Sequence, residues 1–284
     1  MSKTPDTTGK PAGNAEVKSH RAGAKKGPSR RAISRFITQP DSVDIADVEG
    51  WQSKLATKRG VLQGIEVKKI KEFDNILPIF TKGELEGHKI PRQGISPYEA
   101  MYIGKPTDTE LHEGVTDYMT FLPQVYNADS IGYGPDLVGH EVTGWKELLD
   151  PKFKGKAAIL DVPAIGIMDA ALCFESADLI KYGNKGNMTK KEIDFTADKL
   201  IELKKSGHFR ATWTTFDQSV QLMAAGEVII QSMWSPAVAA VRVKEIPCHL
   251  RAGEREERQG RLPRLVQRHG ADEASERQEA RRSL

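Results

Sequence analysis

Seven histidines, two cysteines and a large supply of carboxylates are the residues of this chain that could do metal, redox or acid/base chemistry, and their spacing argues against it. The histidines stand at 20, 88, 112, 140, 208, 249 and 269, and no two of them share a helix-face spacing in the manner of a metal site. Cys173 and Cys248 are the only cysteines. Neither lies in a Cys-x-x-Cys or Cys/His pattern, so two unpaired, buried thiols are expected. No GxGxxG follows a strand, no GxxxxGK-S/T phosphate loop occurs, and there is no GxSxG elbow. No carboxylate pair stands out as acid and base. The chain therefore reads as a non-enzyme without cofactor or metal. The enzyme alternative would need a perturbed acid/base pair, with Asp161, Asp217 and Glu227 as the residues to inspect.

What remains is noncovalent capture, and the elements that would position it are best read in the second half. Lys156 to Leu160 is a short apolar run entering Asp161-Val162-Pro163, after which Ile165 to Phe174 is apolar and helical: strand, turn, helix. Thr189 and Glu192 form a Thr-x-x-Glu capping box, and Ile193, Ala197, Leu200 and Ile201 recur at helical spacing until Gly207. Ala211 to Thr215 reads as extended, Gln218 to Ala225 as helix closed by Gly226, and Val228-Ile229-Ile230 as the start of a buried strand ending near Trp234. Ser235-Pro236 is predicted as cap and first position of the next helix. Earlier in the chain, Ser42 to Val48 reads as a strand ending at Glu49-Gly50-Trp51, and Phe121 to Tyr126 as a strand between lobes. In open α/β sheets the ligand crevice lies beyond the carboxyl ends of the strands, where helix N-termini point. Trp51, Asp161 to Ile165, Thr215 and Trp234 fall at such ends. The competing reading of Trp51 and Trp234 is plain core packing.

Composition sets the frame. The chain has 284 residues, 38% of them hydrophobic, enough for a real core, and a formal net charge of +3 that comes from its two ends. No nucleic-acid partner follows from that charge. No stretch approaches the roughly twenty apolar residues of a membrane helix. Residues 1–31 form a polar, basic, Gly/Pro-bearing head that is expected to be disordered. It contains no apolar run of a signal peptide, and Arg30-Arg31 lacks the apolar context of a twin-arginine signal. After Leu250 the composition switches to nine arginines and no lysine. A shifted reading frame or a junction would explain that switch, and so would a solvated, partly helical basic tail.

The run Gly144-Trp145-Lys146-Glu147-Leu148-Leu149-Asp150-Pro151-Lys152-Phe153-Lys154-Gly155-Lys156, followed by an apolar strand, resembles family 1 extracellular solute-binding proteins of bacterial ABC importers. Gln39-Pro40-Asp41-Ser42-Val43-Asp44-Ile45 leading to Glu49-Gly50-Trp51, Ile76-Leu77-Pro78-Ile79-Phe80, and Ser219 to Val228 leading to Met233-Trp234-Ser235 are similar in the same way. The resemblance covers residues 32–248 and looks most like the spermidine/putrescine-binding branch. It implies an α/β, two-lobed, periplasmic-binding-protein-like (type II) fold, with a partial first lobe at 32–128, a second lobe at 129–250 and an Arg-rich tail at 251–284. It further implies a monomeric periplasmic receptor that closes over a small-molecule solute, polyamine-like at the family level, and hands it to a membrane permease of an ABC importer. The cleft positions it implies are Trp51, Gln124, Tyr126, Asp161, Ile165, Thr215 and Trp234, with aromatic rings against alkyl or cationic groups and carboxylates against ammonium.

Three departures qualify that expectation. Polyamine-binding members carry acidic residues in the turn after the second-lobe strand, whereas here Asp161 is followed by Val162, Pro163, Ala164 and Ile165. A doubly charged amine would lose a counter-charge there, and the turn's amides could meet an anionic or polar solute instead. The head shows no opening strand, and the return segment that family members have after Cys248 is replaced by the arginine tail. A truncated product with a folded second lobe and no transport function is the alternative these ends suggest.

Overall fold

The computed structural model describes residues 49–90, 94, 96–124 and 129–251, with short pieces at 19–20, 34, 37–39, 42 and 45–46. Most of the basic head, Tyr126 and the tail beyond Arg251 lie outside the described residues. Within the head, β1 (Ser19–His20) pairs in parallel with β2 (Ile45–Ala46), a strand pairing that the sequence did not announce. Of the strand expected over Ser42 to Val48, Ile45 and Ala46 are the residues described as extended.

The amino-terminal part is built from short elements. Helix α1 (Gly50–Lys58) is capped by Glu49, whose backbone N–H donates to Gln52 Oε1 at 2.8 Å. It is followed by β3 (Ile65–Glu66), α2 (Pro78–Thr81), the hairpin β4 (Glu84–Leu85) and β5 (His88–Lys89), then α3 (Tyr98–Met101), β6 (Tyr102–Ile103) and β7 (Tyr118–Met119). Strands β3, β7 and β6 form an antiparallel sheet in that order. Its core is small: Met101, Tyr102 and Met119 are buried, with Val67, Ile70, Phe73, Tyr98 and Phe121 packed around them. Tyr102 Oη donates to the Thr81 carbonyl at 2.8 Å, which gives a buried hydroxyl its partner. The strand expected over Phe121 to Tyr126 is not seen in its described portion, since residues 121–124 are irregular. Pro123 supplies the reason, because it has no N–H to give a ladder.

The carboxy-terminal part is a three-layer α/β unit. It runs β8 (Asp129–Tyr133), α4 (Pro135–Val138), β9 (Ala157–Leu160), α5 (Pro163–Ser176), α6 (Lys190–Lys205), β10 (Phe209–Trp213), α7 (Phe216–Ala224), β11 (Ile230–Trp234), α8 (Ser235–Arg242) and β12 (His249–Leu250). The sheet order is β10-β9-β11-β8-β12, with β9, β10 and β11 mutually parallel and β8 antiparallel to its neighbours. The sheet is covered on both faces, as parallel strands require. Ala170, Cys173 and Phe174 of α5, with Phe195, Leu200 and Leu203 of α6, join one cluster. Val220 and Met223 of α7, with Ala237, Val238 and Val241 of α8, join the other. Every residue of β9 is buried, which explains why its sequence is a continuous apolar run instead of an alternation.

The most family-specific motif has a packing role here. Trp145, Leu148 and Phe153 are buried in the first cluster, on two 3-10 turns spanning Trp145–Leu149 and Pro151–Phe153. Asp150 Oδ1 accepts the Lys152 N–H at 3.0 Å and closes the second turn. Gly155 takes φ +73°, a conformation glycine adopts without penalty, and its N–H donates to the His208 carbonyl at 2.8 Å. Buried His208 in turn bonds the Leu148 carbonyl through Nε2 at 2.8 Å. Both cysteines are free and buried, as the sequence suggested.

Candidate functional site

The parallel strands β9, β10 and β11 end along one edge of the sheet, and their residues converge there. Asp161 follows β9, Thr214 and Thr215 follow β10, Trp234 closes β11, and Asp129 opens the antiparallel β8 directly opposite Trp234. Three helices begin at this edge, α5 at Pro163, α7 at Phe216 and α8 at Ser235. Each presents unsatisfied backbone N–H groups and a partial positive charge in its first turn.

The local sequence fixes each of these residues. Thr215 caps α7, accepting the Gln218 N–H at 3.3 Å, while Gln218 Oε1 accepts from the N–H groups of Thr214 and Thr215 at 2.8 and 3.2 Å. The capping box holds the loop rigidly against the strand end. Asp161 is exposed; its N–H donates to the Trp213 carbonyl at 2.7 Å, and its carboxylate accepts from Thr212 Oγ1 at 3.3 Å. Ile165 is half-buried and packs on the cluster formed by Leu160, Trp213 and the helices α7 and α8. Trp234, rather than Ser235, is the N-cap of α8, in extended conformation, so this helix starts one residue earlier than its Ser-Pro signal suggests.

Trp234 is half-buried, neither a core residue nor a free one. Its ring stands edge-on to buried Trp213, with centroids 5.1 Å apart and planes at 87°. Its indole Nε1–H donates to Asp129 Oδ1 at 2.5 Å. Trp213 is fixed in turn by its Nε1–H donating to the Ser232 carbonyl at 3.1 Å. On the α5 side of the sheet Asp169 is 2% exposed, with no donor to its Oδ1 among the described residues. Burial pushes its carboxyl well above the usual range, repulsion by Asp129 adds to that, and a hydrogen bond from Ser232 opposes it. The same burial, reinforced by Asp169, raises the Cys173 thiol.

Of the seven positions expected in a cleft, the structure thus brings Asp161, Ile165, Thr215 and Trp234 to one sheet edge. Trp51 is in the first turn of α1, half-buried, with its indole nitrogen buried and lacking a partner among the described residues. It therefore sits at a helix start and not at a strand end. Gln124 is exposed on the irregular segment after β7, and Tyr126 lies outside the described residues. Asp129 and Asp169 were missed. The signal for Asp169 was available, since it is the one charged residue in the apolar run from Ile165 to Phe174. An open hollow of about 460 Å³ lies at the other end of the same strands, lined by Tyr133, Asp136, His140, Glu141 and His249. Tyr133 pairs with the first residue of β11, so that hollow is remote from the strand carboxyl ends, and we place the site at the latter. Among the described residues no group of three or more His, Cys, Asp or Glu side chains is arranged to hold a metal.

Comparison with known proteins identifies the family and the fold. Residues 37–257 match the family model described as bacterial extracellular solute-binding protein. No curated protein matches the chain. Among solved structures, the chain is similar to the spermidine/putrescine ABC transporter substrate-binding protein PotD from Streptococcus pneumoniae, at 16% identity and a TM-score of 0.53, over 79% of this chain and 57% of that one. It is also similar to an ABC transporter substrate-binding protein from Bradyrhizobium japonicum, at 19% identity and a TM-score of 0.50, over 78% of this chain and 56% of that one. At these identities the likeness shows the fold, which is that of periplasmic binding proteins. The chain spans somewhat more than half the length of these two structures.

Proposed function

The chain belongs to the bacterial extracellular solute-binding protein family, and from that premise we propose that it is a receptor that captures a small polar solute and delivers it to the membrane permease of an ABC importer. The observation that carries this reading is the convergence of Asp161, Thr215 and Trp234 with the starts of α5, α7 and α8 at one edge of the five-stranded sheet. A carboxylate, a hydroxyl, an indole face and several backbone N–H groups at one strand edge make a recognition surface for a small polar molecule.

In this reading, residues 32–128 and 129–250 are two lobes, and the solute binds between them. The separate sheets, each with its own core, support that division. Trp51 and Gln124 are the contributions proposed from the first lobe, together with Tyr126. Trp51 brings an indole N–H that needs an acceptor. The working place would be the periplasm, and the working form a monomer. A polyamine-like solute is the family-level suggestion.

A thermal-shift screen of the purified chain against polyamines, amino acids, small anions and thiamine-like cations tests the proposal, because a ligand that binds only the folded state raises the unfolding midpoint. A saturable rise with one solute class is expected. A cooperative transition that no solute class moves would overturn it.

A further inference from the structure

The connection between α5 and α6 is a loop held in shape by its own part of the chain. Tyr182 N–H donates to Glu175 Oε1 at 3.0 Å, and the Lys185 ammonium meets Glu175 Oε2 at 2.5 Å, with the lysine side chain 10% exposed. The Tyr182 hydroxyl shares a 2.6 Å hydrogen bond with Thr196 Oγ1, both residues being buried, and Gly183 N–H donates to Glu192 Oε1 at 2.8 Å. Asn184 Oδ1 accepts the Gly186 N–H at 2.9 Å, the bond to the second residue on by which asparagine shapes a turn. Pinned in this way, the loop reaches the amino-terminal part of the chain.

The same Asn184 Oδ1 accepts the N–H of Gly94 at 3.3 Å, across 90 residues of sequence. Beside that bond two backbones lie against each other: a Cβ on Gly186 would stand 1.9 Å from the Gly94 carbonyl oxygen and 2.3 Å from its carbon. Gly94 takes φ +108°, which accounts for glycine there. Gly186 is outside the left-handed region, so its own backbone would accept alanine. What leaves no room for a side chain at Gly186 is the backbone of Gly94.

We propose that this loop is a clasp for the first lobe, a contact outside the solute site that sets how far the two lobes open. The inference rests on the reading of residues 32–128 and 129–250 as lobes that close over a small molecule, and it adds the contact that biases their closure. Domains with separate cores move relative to one another unless contacts between them resist it. A solute that touches both lobes binds their closed arrangement better than the open one. An interaction that favours closure therefore tightens binding, and its loss weakens binding without altering a residue of the site. Asn184, Gly186 and Gly94 are all outside the set of residues proposed to touch the solute.

Distance measurement between two spin labels tests the clasp with no solute present. In the full chain the labels go on Lys89→Cys and Lys191→Cys, exposed positions close in sequence to either side of the contact, while the two native thiols are buried and stay unlabelled. Gly186→Ala should shift the distribution to longer distances, because the loop accepts the methyl group and the Gly94 backbone does not. Asn184→Ala, which removes the shared acceptor, should move it in the same direction and is the variant to read if Gly186→Ala does not fold. Asn187→Ala, at an exposed neighbour on the same loop, should leave it unchanged. Calorimetric titration with spermidine adds the functional readout, with binding ~5-fold weaker in Gly186→Ala than in wild type. Distances that neither Gly186→Ala nor Asn184→Ala lengthens would overturn the clasp and leave the receptor reading in place. An equal shift with Asn187→Ala would overturn it too, since the loop and not its contact with Gly94 would then matter, and so would equal spermidine affinity despite lengthened distances. If spermidine binds neither protein, the distances alone decide the clasp, and the receptor reading stands or falls with the wider solute panel.

Discussion

A carboxyl group stripped of water keeps its proton, and Asp169 shows what this does to stability. Its pKa in the folded protein lies well above the value of an exposed aspartate, which the unfolded chain restores. Over the interval between those two values the folded state binds the extra proton, so stability is fully present below the unfolded pKa and is lost as pH rises through the folded one. Asp169→Asn removes that dependence. Denaturant titrations at pH 5 and pH 8 should show the wild type losing more stability than the variant over that rise; parallel losses would mean that Asp169 is ionised in the folded protein. At the sheet edge, Trp234 was identified by type and place at a strand end, and it closes β11 there. Its partner Asp129 could not be read from sequence, because a residue at the start of an antiparallel strand meets the end of another only through a pairing between positions 105 residues apart.

Elements were legible in proportion to their length. The strands β9, β10 and β11 and the helices between them follow the apolar runs and caps of the sequence, and the Thr189 capping box forms with Glu192 as expected. The two-residue strands of the amino-terminal part have no periodicity to display, and their order as β3-β7-β6 is decided by the burial of Met101, Tyr102 and Met119. A close approach of backbones is equally invisible in a sequence. Gly166 in α5 is a case: a Cβ there would stand 2.0 Å from the Leu160 carbonyl oxygen, an atom fixed in the end of β9. Gly166→Ala should therefore destabilise the protein by about 1–3 kcal/mol, although alanine is the better helix former, because backbone cannot yield as a side chain does. Equilibrium denaturation measures this, and a variant as stable as wild type would show that α5 can slide away from the strand. Since α5 also carries Ile165, the same substitution should weaken solute binding.

At the scale of the whole molecule, the motif that resembles the family is one that packs, while the proposed function rests on residues that the motif does not contain. Trp145, Leu148 and Phe153 hold the loop before β9 against the core, and this is why the run from Gly144 to Lys156 identifies the fold so specifically and says nothing of the solute. The proposed site depends on where strands end, which the sequence discloses through Asp161, Thr215 and Trp234. The contribution proposed from the first lobe is the least legible, with Trp51 at a helix start and Gln124 on irregular backbone. The central claim is that solute binds at the carboxyl edge of the five-stranded sheet, and its most direct test is a calorimetric titration of the solute found by thermal shift into the wild type and Trp234→Ala. An aromatic face against a desolvated cation contributes about 2 kcal/mol, or ~30-fold in affinity, so the variant should bind at least ~10-fold more weakly with an unchanged circular dichroism spectrum. Equal affinity in the two proteins would place the solute somewhere other than this edge.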